Sequence, residues 1–201
     1  YDLRRSDQNY PNRKSFLEII KDVSKVTFMP ITVGGRIQKL KDIEDRLKVG
    51  ADKISINHKA LNNPKFISES AKEFGSQCIV VSIDAKNNGH RNMVFDHKHS
   101  SSTDLKVIDF AKISEDMGAG EILLNSVDRD GVGNGYDLEL IEEVTSNVSI
   151  PVICCGGVGD WSHFLDAFKK TEVDAVAAAN IFHYVDQSVY LAKKYLHDKN
   201  I

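Results

Sequence analysis

The sequence predicts an α/β protein of the (β/α)8 (TIM) barrel class, and three observations lead there. Short runs rich in branched apolar residues alternate with segments of helical periodicity, the pattern of parallel βα units. The chain also repeats at an offset of four such units. Gly34-Gly35 after one strand is matched by Gly156-Gly157, and Gly50–Asn57 by Val173–Asn180, both ending on Asn. Arg4–Asp7 and Val127–Asp130 form a weaker third pair. A half-repeat of four units implies eight in all. Finally, the polar residues of interest fall at the carboxyl ends of strands, where barrels place their chemistry. A doubly wound open sheet shares the alternation but gives no reason for the fourfold offset.

In chain order, Tyr1-Asp2-Leu3 reads as the end of a strand and 4–12 as a polar loop. Phe16, Ile19, Ile20 and Val23 follow i, i+3, i+4, i+7 and mark a helix from Ser15. Met29–Val33 is a short strand closed by Gly34-Gly35. Leu40, Ile43 and Leu47 line the next helix, which Gly50 stops. Lys53–Ile56 is a strand ending on Asn57. Asn63-Pro64 starts a helix, with Asn as cap and Pro at the first position, and Gly75 ends it. The strand Cys78–Asp84 follows, apolar at five of its first six positions, a run buried on both faces of a parallel sheet. Beyond it, Asn92–Asp96 forms a short extra strand and His97–Thr103 a polar loop. The alternation then resumes with a helix over 104–117, a strand Ile122–Leu124, a loop Ser126–Gly135 and a helix over 137–146. Strand Pro151–Cys155, a helix over 160–170, strand Asp174–Ala179 and a last helix over 187–197 complete it. That makes seven strands, the first only a stub.

At 201 residues the chain is expected to be a single domain, 1–201. Barrels of this class take roughly 250 residues. The deficit, and a first residue that is Tyr rather than Met, create the expectation that the first βα unit and most of the second strand are lacking. A net charge of -3 carries no electrostatic footprint for nucleic acid or an anionic membrane surface. No apolar run approaches the ~20 residues of a membrane span. Cys78, Cys154 and Cys155 show neither metal-ligand spacing nor a disulfide framework, so a cytoplasmic setting is the expectation.

Asp84 stands at the carboxyl end of a buried strand, followed by Lys86 and the polar Asn87-Asn88-Gly89. It reads either as a turn cap or as a catalytic carboxylate. The fourfold symmetry places its mate on the absent first strand, and two such carboxylates serve as general acid and base. The two Gly-Gly turns leave backbone N–H groups free to approach anions, one at each end of a bis-phosphorylated substrate; the alternative is that they only permit tight βα turns. The loop Asp128–Tyr136, rich in glycine, suits a segment folding over substrate or a salt-bridged loop. Lys53 and Glu121 open strands at the opposite rim, where charges more often stabilise a barrel. His97 and His99 read as a solvated loop rather than a metal site, and neither a metal nor a cofactor is expected.

Several motifs together resemble one family. They are Val33-Gly34-Gly35, Gly50–Asn57, Phe74-Gly75-Ser76-Gln77, Val81–Lys86, Gly118–Leu124, Asp128–Gly131 and Cys155–Gly159. They resemble the cyclase subunit of imidazole glycerol phosphate synthase, the HisF family, over nearly the whole chain. The resemblance implies a (β/α)8 barrel that receives ammonia from a HisH-like glutaminase partner in a heterodimer. The ammonia is used on a bis-phosphorylated ribulosyl aminoimidazole-carboxamide intermediate in histidine biosynthesis, giving imidazole glycerol phosphate and an aminoimidazole carboxamide ribotide. It implies Asp84 as catalytic, and Gly34, Gly35, Asn57, Asp130, Gly131, Gly156, Gly157 and Asn180 as substrate and phosphate binders. It further implies Lys53, Glu121 and the adjoining Asp52 at the ammonia gate and Gln77 near the partner interface, which reverses the reading of the rim charges.

Four departures bear on the substrate. Arg36 stands where the family has a third Gly, and His58 and Asn180 stand where it has small hydroxyl residues. His97–Asp104 replaces a Gly-Gly-Lys-x-Thr-Gly pattern. An altered phosphate site beside an intact ammonia-handling half resembles a paralogous group that supplies ammonia for sugar amidination in surface-polysaccharide pathways, a second expectation for function.

Overall fold

The computed structural model describes residues 14–183 and 188–201, which cluster into two compact units. The expected strand stub 1–3, the Arg4–Asp7 half of the third repeat pair and the expected start of the last helix at 187 lie outside the described residues.

The first unit comprises the described residues up to Val81 together with Met117–Gly120. Its first helix, α1 (Phe16–Ser24), starts where Ser15 Oγ accepts the Glu18 amide and Glu18 accepts the Ser15 amide at 2.7 Å, a capping box. β1 (Thr32–Gly34) is shorter than the expected Met29–Val33, and Met29 is exposed. Pro30 has no N–H for a ladder, and this delays the strand. After α2 (Leu40–Lys48), β2 (Lys53–Ile56) agrees residue for residue with expectation and pairs parallel to β1, Thr32 opposite Lys53 and Gly34 opposite Ser55. A short helix not foreseen, α3 (His58–Asn62), precedes α4 (Lys65–Phe74). Cys78 closes a 3-10 turn (Ser76–Cys78) rather than opening the strand. β3 (Ile79–Asn87) then sets Ile79, Val80 and Val81 beside Ile54, Ser55 and Ile56. Ile43, Ile54, Ile67 and Ile79 form this unit's fully buried core.

The second unit comprises Ser82–Asp116 and the described residues from Glu121 onward. The end of β3 pairs antiparallel with β4 (Asn92–Asp96), and β4 with β5 (Ser101–Lys106). Residues expected in the loop 97–103 and the helix 104–117 therefore supply a strand, because β4 has backbone groups to satisfy on its other side. α5 (Val107–Asp116) starts three residues later than expected. β6 (Glu121–Ser126), α6 (Leu138–Thr145), β7 (Val152–Cys155), α7 (Trp161–Lys170) and β8 (Ala175–Val176) follow. β3 neighbours β6, which pairs parallel with β7, and β7 with β8. β8 is shorter than Asp174–Ala179, and Asn180 begins a 3-10 turn (Asn180–His183) before α8 (Val189–His197). Among the described residues, five of the six parallel strands lead directly into a helix or helical turn, and β3 reaches α5 by way of the β4–β5 hairpin. This is the repeat of a partial (β/α)8 barrel, and the fold class is α/β as expected.

Candidate active site

Asp84 is the sixth residue of β3, a strand buried at every position from Ile79 to Ala85. With 8% of its surface exposed, a carboxylate here needs donors. One comes from the next strand: Asn125 Nδ2, on β6, donates to Asp84 Oδ1 at 2.9 Å. Asn125 Oδ1 is buried and accepts no hydrogen bond among the described residues. Asp84 Oδ2 lies 3.5 Å from His97 Nε2. His99 Nδ1 is 2.6 Å from Asp96 Oδ2, and Asp96 is buried. Both histidine rings are exposed, as expected of a solvated loop, and each also meets a buried carboxylate, because the β3–β4 pairing carries this segment back along β3.

The loops after β6, β7 and β8 line a cleft of about 360 Å³ that brings together Asp130, Gly131, Cys155, Gly156, Gly157 and Asn180. Backbone shapes it. Gly156 and Gly157 have φ of 95° and 103°, values that glycine alone adopts at little cost. The Gly135 amide donates to Gly157 O at 2.8 Å, so two loops meet backbone to backbone. Asp128 Oδ2 accepts the Asn87 amide at 2.8 Å and ties the β6 loop to the end of β3. Tyr136 Oη donates to Ala177 O at 2.9 Å and holds the chain after β8. Cys155 links cleft and carboxylate. Burial foremost, then the nearby charges of Asp130 and Asp84, raise its thiol above the ordinary value and keep it protonated. The site thus offers an oriented carboxylate next to a glycine-walled cleft.

In the first unit, Gly34, Gly35 and Asn57 stand at the carboxyl ends of β1 and β2, brought together by the pairing of Gly34 with Ser55. Gly35 has φ 98°, and Arg46 donates to its carbonyl at 3.0 Å. Arg36 has φ 58°, a left-handed conformation that an L side chain adopts at a cost. The side-chain amide of Asn62 packs against the ring of His58 and donates to its carbonyl. At the other end of β2, Asp52 Oδ2 accepts the Ile31 amide at 2.7 Å, and Lys53 opens the strand. Gln77 is exposed in the 3-10 turn, and Glu121 opens β6. Among the described residues no group of three or more His, Cys, Asp or Glu is gathered to hold a metal. No helix among them is long and apolar enough to cross a membrane.

Asn125, His97 and Cys155 are the site residues that motif reading did not assign. Asn125 obeys the same strand-end rule that singled out Asp84, a signal that was present. His97 carried none, because its role depends on the hairpin's register.

The family described as "Histidine biosynthesis protein" matches residues 2–188. The imidazole glycerol phosphate synthase subunit HisF of Bacillus cereus (strain G9842) is 45% identical over 193 residues, 96% of this chain and 77% of that protein. Proteins of the same name from Dehalococcoides mccartyi and Hydrogenobaculum sp. are each 45% identical, over 94% and 96% of this chain and 75% and 77% of their own. All three relatives are named as a subunit of a larger enzyme. With the strand-end carboxylate and the glycine cleft in place, these matches establish that the chain belongs to the histidine biosynthesis protein family, as a member of its HisF group.

Proposed function

We propose that this chain is the cyclase subunit of imidazole glycerol phosphate synthase. It uses glutamine-derived ammonia from a glutaminase partner to convert the bis-phosphorylated ribulosyl aminoimidazole-carboxamide intermediate to imidazole glycerol phosphate and aminoimidazole carboxamide ribotide. The observation that carries the reading is the buried, hydrogen-bonded Asp84 beside the cleft at Gly156-Gly157. As ammonia condenses with a carbonyl carbon its nitrogen sheds two protons in turn, and a carboxylate takes each and returns it to the oxygen, which then leaves as water. The unpartnered Asn125 Oδ1 supplies an acceptor for a substrate N–H or O–H. Backbone amides at Gly156 and Gly157 bind one phosphate, with Asp130, Gly131 and Asn180 around it. Gly34, Gly35 and Asn57 take the other. The ammonia-entrance roles of Lys53, Glu121 and Asp52, and the interface role of Gln77, belong to the same proposal.

Turnover of that intermediate with ammonium salts tests it, and no turnover by the natural protein removes the histidine-pathway reading. Asp84→Asn is expected to lower kcat by about 10²–10⁴-fold, the worth of a general acid–base, with substrate affinity nearly unchanged. A normal rate takes Asp84 out of the mechanism. One observation favours the sugar-amidination alternative: Arg36 occupies a backbone conformation suited to glycine, at the turn where a phosphate would approach the backbone. On that reading the protein supports a partner's amidation while failing to turn over the intermediate.

A further inference from the structure

The β4–β5 hairpin brings Asp84 a second group that the proposed reaction does not yet use. β4 runs antiparallel to the end of β3, with Ala85 opposite Val94 and Lys86 opposite Met93. Continued by one residue, that register sets Asp84 opposite Phe95. The two-residue period of strands then puts Asp84, Lys86, Met93, Phe95 and His97 on one face. The contacts agree. His97 Nε2 is 3.5 Å from Asp84 Oδ2, the His97 ring meets Phe95 edge-on at 4.9 Å, and Lys86 Nζ lies 5.1 Å over the Phe95 ring. The hairpin tip is anchored independently, since buried Asp96 accepts the Lys98 amide at 2.9 Å and faces His99 at 2.6 Å. His97 is therefore presented from a fixed turn rather than from a loose loop.

We propose that His97 is a positioning residue for Asp84. The carboxylate plane turns about a torsion that is broad by itself. Asn125 holds Oδ1 and His97, with its proton on Nε2, holds Oδ2, so the carboxylate is kept in one orientation for proton transfer. The contact is long for a hydrogen bond, as catalytic contacts are before substrate closes them. His97 is 57% exposed, so its pairing with Asp84 contributes little to stability, and its effect belongs in the rate. Among the described residues, the charged or titratable groups near the pair include Lys86 on the same face, Asp130 and Cys155 on the cleft side, and Asp96 with His99 at the hairpin tip. This proposal rests on the reading of Asp84 as the catalytic acid–base.

The test compares His97→Phe and His97→Gln in the natural full-length protein, each alone and combined with Asp84→Asn, measuring kcat and KM with the bis-phosphorylated intermediate and ammonium salt. His97→Phe keeps a ring against Phe95 but loses the donor, and kcat is expected to fall about tenfold or more with KM nearly unchanged. His97→Gln restores a donor and is expected to recover most of the rate. A packing role predicts the reverse order, Phe tolerated and Gln not, and that order overturns the proposal. So does any further loss from His97→Phe in the Asp84→Asn background, where the group to be positioned is already gone. If the natural protein turns nothing over, the proposed reaction has failed, and the contact is read by NMR instead. Asp84→Asn is then expected to shift the His97 ring signals and leave those of His99 in place; unmoved His97 signals overturn the pairing.

Discussion

At Gly157 the backbone turns with φ 103°, and a β-carbon built there would stand 2.2 Å from Gly135 O and 2.9 Å from Gly135 C. Both obstacles are backbone, held in place by the Gly135 amide donating to Gly157 O at 2.8 Å, so they cannot rotate away as a side chain could. Gly157→Ala therefore carries two costs. The left-handed conformation costs an L residue ~1–2 kcal/mol. Forcing apart packed atoms costs a further ~1–3 kcal/mol. Gly89 isolates the first cost, because its φ is 92° and nothing lies within 4 Å of the added carbon. At about 2–4 °C per kcal/mol for a chain of this size, Gly157→Ala should lower Tm by about 6–12 °C for a total near 3 kcal/mol. Gly89→Ala should show only the smaller, conformational part. Urea denaturation of the two variants gives the same comparison as a shift in midpoint at constant m. Equal losses at the two positions would refute the idea that close backbone approach shapes the cleft.

Three further outcomes are expected. Arg36→Gly relieves a left-handed L residue at ~1–2 kcal/mol against a glycine entropy cost of ~0.5–1 kcal/mol, so a melt should find the variant no less stable and up to about 1 kcal/mol more so. A loss of stability would mean that the Arg36 side chain makes contacts outweighing its strain. Cys155, whose thiol is raised by burial and by Asp130 and Asp84, should alkylate more slowly than a free thiol at pH 8 and faster in Asp130→Asn, as mass spectrometry can follow. Unchanged alkylation in that variant would remove Asp130 from the account. Asp160 caps α7, and hydrogen bonds from Ser162 hold its carboxyl below the ordinary 3.8. The resulting stability is present above that ordinary value and is lost as pH falls through the lowered one. Asp160→Ala should cost about 1 kcal/mol at neutral pH and less in acid, read from denaturation curves at both.

The sequence by itself determined what local chemistry determines. Apolar runs and helical spacing located β2 and β4 to the residue and most helices to within a few. Glycine placement located the turns at Gly35, Gly156 and Gly157, because positive φ is open to few other residues. The strand-end rule singled out Asp84. What surrounds Asp84 was decided only by tertiary structure. Asn125 is 41 residues away and reaches it through the neighbouring of β3 and β6, and His97 faces it through the antiparallel register of β3 with β4. A slip of one residue in that register would turn His97 to the opposite face, and composition carries no record of register. The same reason hid β5. Its polar residues, Ser101 to Asp104, have no strand periodicity of their own and become a strand only because β4 presents backbone groups for them to satisfy.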